Sequence, residues 1–160
     1  MQPFSESQST AILLVCTAAA FLLPQSAAGE PENPERLWHL APQTLRPGGA
    51  GSFDSVAVKD PSIVFFDGNW HLFYTARDED HYTTGYVRAE RLEELHRATR
   101  WELTKVRSKK ERYGCAPQVF YFAPHKKWYL LFQNRDSNYQ PMLCHNANIS
   151  DASDWSTPEV

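Results

Sequence analysis

The chain has 160 residues, of which 42% are apolar and 22% charged, with a formal net charge of −3. That is an ordinary globular composition of one domain's length. No basic run or arginine-rich face is present, which argues against a nucleic-acid partner. Aromatic residues reach 13%. They could fill strand cores or present rings to sugars, and composition does not choose between these.

The first feature is the apolar run Ala11 to Leu23. It is shorter than the ~20 residues a spanning helix needs and suits the apolar centre of an export signal. Ser26-Ala27-Ala28 supplies small residues for cleavage. Residues 1–28 are therefore expected to be a signal peptide cut after Ala28. The product would be secreted or periplasmic, with no membrane attachment after cleavage. One feature departs from the pattern: no Lys or Arg precedes Ala11. The alternative is a buried helix or an uncleaved anchor. Residues 29–52 are rich in proline and lack periodicity, as a linker or leading arm does. The structured domain is expected over 53–160. Cys16 would leave with the signal. Cys115 and Cys144 could pair in an exported protein, or remain as two buried thiols. There is no CxxC pair and no HExxH, so a structural zinc site has no support.

From Phe53 the chain repeats itself. Pro61-Ser62-Ile63-Val64-Phe65-Phe66-Asp67-Gly68-Asn69-Trp70-His71-Leu72-Phe73-Tyr74 parallels the segment from Pro117 to Phe132. Each has a proline, an apolar strand, a polar turn, a Trp and a second apolar strand. Each then reaches Arg-Asp, at Arg77-Asp78 and Arg135-Asp136. Ala98-Thr99-Arg100-Trp101 and Ala152-Ser153-Asp154-Trp155 give a third landmark in the same order. Asp67-Gly68-Asn69 is a hairpin turn signal between short β-branched or aromatic runs. The second turn is two residues longer. Gly85 to Val87 and the stretch around Trp101 supply further strands, and Leu92 to Leu95 a short helical insert. A hairpin repeat of about 50 residues predicts an all-β propeller rather than a β-sandwich with chance similarity. Propellers close with roughly four to eight blades. After position 28 the chain holds about the first two, and is expected to be the N-terminal part of a longer propeller. A half-propeller would otherwise leave long unpaired edges.

Asp60, in Val58-Lys59-Asp60-Pro61-Ser62, carries the strongest chemical signal. At the start of a blade's first strand its carboxylate would lie near the propeller axis, where a pocket forms. Pro61, lacking an N–H, suits a strand start. Asp-Pro is also common in turns, where Asp merely caps. The second blade, however, has Ala116-Pro117 at this point, so the repeat needs no Asp there. Lys59 is placed to balance the carboxylate or hold a sugar hydroxyl. That requires a bend, because neighbouring residues of a regular strand face opposite ways. The alternative is a solvated lysine. Gln118 could bind a sugar hydroxyl through its amide, or be a buried glutamine satisfied by backbone. Tyr113 is a candidate pocket wall. The two Arg-Asp pairs recur in each blade and read as turn or ion-pair positions. His71 reads as packed and His125 as solvated. Asn148-Ile149-Ser150 is a glycosylation sequon, meaningful only in a host that glycosylates.

The segments KDPSIVFFDGNWHLFYTA and CAPQVFYFAPHKKWYLLFQ resemble the first and second blades of the α-L-arabinofuranosidases of glycoside hydrolase family 62. Family 43 hydrolases share the Asp-Pro and Ala-Pro starts, but Gln118-Val119-Phe120-Tyr121-Phe122 is more similar to family 62. The resemblance covers about Ser55 to Val160. It implies a five-bladed β-propeller and an inverting hydrolase that removes arabinose from arabinoxylan or arabinan. Asp60 matches the general base. The pKa-tuning Asp and general-acid Glu would lie on later blades, so the 160 residues alone would be inactive. Inversion needs two carboxyl groups about 6.5–9.5 Å apart, with water between the base and the sugar. The resemblance implies no required cofactor, a calcium ion of unknown ligands near the axis in some relatives, a plant cell-wall polysaccharide as partner, and a full-length monomer. Arg77-Asp78-Glu79-Asp80 departs from the expected less charged loop, which puts specificity in question. The alternatives are another furanosidase or xylosidase of the family 43 type, or a non-catalytic carbohydrate-binding propeller. A fold by itself does not choose among them.

Overall fold

The structure is a computed structural model that describes residues 42–108, 112–135 and 138–159. The expected signal, most of the arm and Asp136 lie outside the described residues. Two antiparallel sheets dominate. In the first, β1 (Ala57–Phe66), β2 (Asn69–Arg77), β3 (Tyr82–Ala89) and β4 (Arg100–Glu102) lie side by side in chain order. In the second, β5 (Cys115–Phe122), β6 (Lys127–Gln133) and β7 (Pro141–Asn146) do the same, and Glu159 bridges to Leu143 where a fourth strand would lie. Short 3-10 turns occur at Leu92–Glu94 and Ala123–His125. The described residues are all-β, and their sheets are successive blades of a partial propeller.

The turns follow from the residues at their tips. Phe66 pairs with Asn69 across a two-residue loop, with φ of 47° at Asp67 and 73° at Gly68. Two positive φ values define a type I′ turn, whose twist matches that of the strands it joins. In the second sheet Phe122 pairs with Lys127, so the loop is the expected two residues longer. It closes through Lys126 at φ 53°.

Burial explains why β2 shows no alternation. His71 through Ala76 are all buried, because both faces of the first sheet are covered. On one face Phe73 and Tyr86 join Val119, Trp128, Leu130 and Trp155 in a core shared by the two sheets. On the other, Leu72, Tyr74, Val87 and Leu95 pack with Leu45 and Phe53 from the preceding segment. Packing thus begins ahead of Phe53, with Leu45. Gly85 makes room for the Tyr74 ring, since a Cβ there would sit 2.3 Å from it. The Tyr74 hydroxyl then donates to Asp54 at 3.0 Å, and Arg100 binds the same carboxylate oxygen at 2.6 Å. Asp54 is buried, so this pairing satisfies a charge that would otherwise be costly to desolvate.

Cys115 and Cys144 are free and buried. Of the two sequence readings, disulfide pairing is the one the structure overturns. Cys115 pairs with Gln133 and Cys144 with Leu130, on either side of β6 and three positions apart along it. At about 3.3 Å per residue and about 4.8 Å per strand, the Cα atoms lie well beyond the ~7 Å limit for a bridge.

Candidate functional site

The site forms where β1 and β5 each carry an extra residue. Lys59 pairs with Thr75 and Ser62 with Phe73, so β1 uses one more residue than β2 across that interval. Cys115 pairs with Gln133 and Gln118 with Leu131, giving the same bulge in β5. The bulged residues, Asp60 and Ala116, both have φ of 51°. This left-handed conformation is disfavoured for residues with a Cβ, though Asp tolerates it better than most. Each is followed by proline, which has no N–H for the ladder and is tolerated at a bulge. Pro61 therefore lies within β1, not at its start as the sequence suggested.

The bulge supplies the bend that the Lys59–Asp60 pairing requires. Lys59 Nζ lies 3.8 Å from Asp60 Oδ2, with the two side chains 52% and 41% exposed. The carboxylate thus faces solvent beside a cation. Its second partner is Thr75, whose hydroxyl donates to Oδ2 at 2.9 Å. Thr75 is fully buried and accepts the Ala116 N–H at 2.8 Å. One threonine therefore joins the bulge of the second blade to the carboxylate of the first.

Tyr113 stands in the same region. Its ring packs 6.1 Å from Tyr82 and 5.7 Å from Tyr139. Burial first, and then the adjoining Cys115 thiol, push its hydroxyl up to about 12. Burial also raises the Cys115 thiol, which faces Tyr113, Lys59, Asp60 and Thr75. Lys59 Nζ sits 5.3 Å above the Tyr82 ring and Arg77 5.1 Å from it. Arg135 repeats this on Tyr113, at 5.0 Å. Arg77 and Arg135 therefore hold aromatic rings. Asp78 instead caps its turn, accepting the N–H groups of Asp80 and His81.

Gln118 meets β1 at a different residue, Ser62. Its side chain is exposed and its amide donates to Ser62 Oγ at 3.2 Å. The Val119 N–H donates to the same oxygen at 2.9 Å. Gln118 is thus neither buried nor satisfied by backbone, and its amide ties one blade to the next. His71 is fully buried and His125 exposed, as expected. Among the described residues, no three His, Cys, Asp or Glu side chains gather as metal ligands.

Sequence marks Cys115 only as a thiol that could pair, and does not mark Thr75, Tyr82 or Ser62 as site residues. One signal could have found three of the site positions. Where the two repeats are superposed, Lys59 meets Cys115, Asp60 meets Ala116, and Thr75 meets Gln133. Blade one departs from blade two at the three positions that cluster.

No protein-family model matches the chain. Alpha-L-arabinofuranosidase C of Cellvibrio japonicus (strain Ueda107) is 36% identical over 80 residues, covering 49% of this chain and 12% of that protein. The α-L-arabinofuranosidase PaAbf62A of Podospora anserina, solved with cellotriose, superposes with a TM-score of 0.62 at 30% identity, over 73% of this chain and 35% of that one. A GH62 hydrolase solved with xylotriose superposes with a TM-score of 0.55 at 35% identity, over 64% of this chain and 30% of that one. The chain thus spans about an eighth of the curated relative and about a third of each solved one. These similarities define the class of fold: that of the arabinofuranosidase-type, GH62-like glycoside hydrolases, present here in part.

Proposed function

We propose that this chain is part of an exported, inverting α-L-arabinofuranosidase of glycoside hydrolase family 62, in which Asp60 is the general base. The observation that carries this reading is the Asp60 carboxylate, projected from a strained bulge, half-exposed, and held by Thr75 and Lys59. The same bulge forms at Ala116 with no carboxylate, so the backbone does not require one. In the proposed reaction Asp60 removes a proton from a water whose oxygen bonds to the anomeric carbon. The glycosidic bond breaks on the opposite side, and the departing oxygen takes a proton from a glutamic acid that the resemblance puts on a later blade. Lys59 and Tyr113 line the approach to the base. The substrate would be arabinose-substituted plant polysaccharide.

The test is arabinose release from arabinoxylan by the full-length natural protein and its Asp60→Asn variant. The substitution should lower turnover by at least a thousandfold while leaving the fold intact. Undiminished release by the variant would remove Asp60 from the chemistry. Polysaccharide binding without turnover in the unsubstituted protein would favour a non-catalytic binding propeller instead.

A further inference from the structure

We infer that Thr75 is the positioning residue of the proposed base, holding Asp60 through one carboxylate oxygen and leaving the other to act. This deepens the reading of Asp60 as a base and rests on it.

The Ala116 N–H can only donate, so at 2.8 Å it occupies a lone pair of the Thr75 hydroxyl. The hydroxyl proton is then free to go to Asp60 Oδ2, 2.9 Å away. Lys59 approaches the same oxygen, at 3.8 Å. Both partners of the carboxylate among the described residues thus converge on Oδ2. Oδ1 is the oxygen left for a water. An oxygen held by a donor from a fully buried side chain is fixed in place. The other is then fixed too, because the carboxylate is rigid and planar.

The relay also explains why the bulge recurs in a blade that has no carboxylate. Left-handed Ala116 turns its N–H toward Thr75, whereas a regular strand would commit that position to the ladder. The second blade therefore helps set the direction of a side chain on the first. Among the described residues, Lys59 on β1 and the Cys115 thiol on β5, itself hydrogen-bonded to Tyr113, also face this point.

The experiment uses the full-length natural protein with three substitutions, Thr75→Val, Thr75→Ser and Asp60→Asn, and a chromogenic α-L-arabinofuranoside. Thr75→Val keeps the shape and removes the hydroxyl. It should lower kcat by roughly ten- to a hundredfold, the order expected when a reacting group is misplaced, with KM little changed. Thr75→Ser restores the hydroxyl without the methyl and should recover most of kcat, even where stability falls. A Thr75→Ser variant that folds yet stays as slow as Thr75→Val would overturn the inference, because the hydroxyl would not be what matters. So would wild-type kcat in Thr75→Val, provided Asp60→Asn is inactive. Full activity in Asp60→Asn would instead defeat the reading of Asp60 as the base. If Thr75→Val fails to fold, kcat of the serine variant decides the matter, with wild-type-like turnover supporting the relay.

Discussion

Asp60 and Ala116 share one backbone conformation, a left-handed bulge with φ of 51° in each of two successive blades. Only Asp60 carries a functional group there; Ala116 has a bare methyl. Ala116 bears the strain of a Cβ in that region, of order 1–2 kcal/mol. Glycine relieves it but loses more freedom on folding, by about 0.4–1 kcal/mol. Ala116→Gly should therefore raise stability slightly, by up to ~1 kcal/mol. Ala116→Val should lower it, because a β-branched residue suits this conformation least. Thermal unfolding of the two variants against the natural sequence checks the order. Equal midpoints for glycine and valine would show that the bulge carries no such strain.

Ser62 and Gln118 make a second bridge between the blades, and their losses should be unequal. Ser62 Oγ receives two donors, one of them the buried Val119 N–H. Ser62→Ala leaves that N–H unsatisfied, which costs about 1–3 kcal/mol. Gln118 is exposed, so its amide can turn to water when the bond is lost. Gln118→Ala should change stability by less than about 0.5 kcal/mol. Denaturant unfolding would separate the two. A loss at Gln118 as large as that at Ser62 would show that its amide does more for the fold than its exposure implies.

His71 makes part of the stability depend on pH. Its Nε2 lies 3.2 Å from the Phe66 carbonyl oxygen, which can only accept, so Nε2 carries the proton. Nδ1, 2.7 Å from the Tyr86 hydroxyl, is then the acceptor. Burial lowers the pKa of this neutral ring, and Arg88 adds to the effect, against a smaller upward pull from the Phe66 carbonyl and Asp67. The unfolded chain thus takes up a proton at higher pH than the folded one. Stability should be full above the ordinary histidine value of about 6.5 and decline as pH falls from there to the depressed folded value. His71→Gln should show a shallower decline over that window. The same slope in both proteins would locate the pH dependence elsewhere.

The repeat was legible because it rests on local rules. Asp67-Gly68 dictates its turn, the apolar runs dictate strands, and two copies in register point to blades. The bulge at Lys59–Ser62 was not legible, since register is a relation between two strands and neither sequence states it. Pro61 accordingly reads from sequence as a strand start, although it lies inside β1. Asp60 stands out as a candidate through the unlike residue at the matching position, Ala116. Thr75 escaped notice because threonine is at home in any strand, and its significance lies in contacts with residues 15 and 41 positions away. The Gln118 amide is legible as a hydrogen-bonding group, but its partner across the blades is not. A lone amide shows what it can bind but not what stands opposite, and here that is Ser62.

The two cysteines give a chemical check on the arrangement of the second blade. Cys115 and Cys144 flank β6 at offset positions, so oxidation cannot join them without moving a strand. Both thiols are buried, and burial pushes Cys144 up to about 12, leaving almost no thiolate near neutral pH. The thiolate is the reactive form, so neither should react readily with a thiol reagent while the protein is folded. After unfolding without reductant, the reagent should modify Cys115 and Cys144 together, and the mass of the peptides containing them should show each label. Unlabelled cysteines joined in one cross-linked peptide would mean that β5 and β7 lie closer, and in a different register, than this sheet allows.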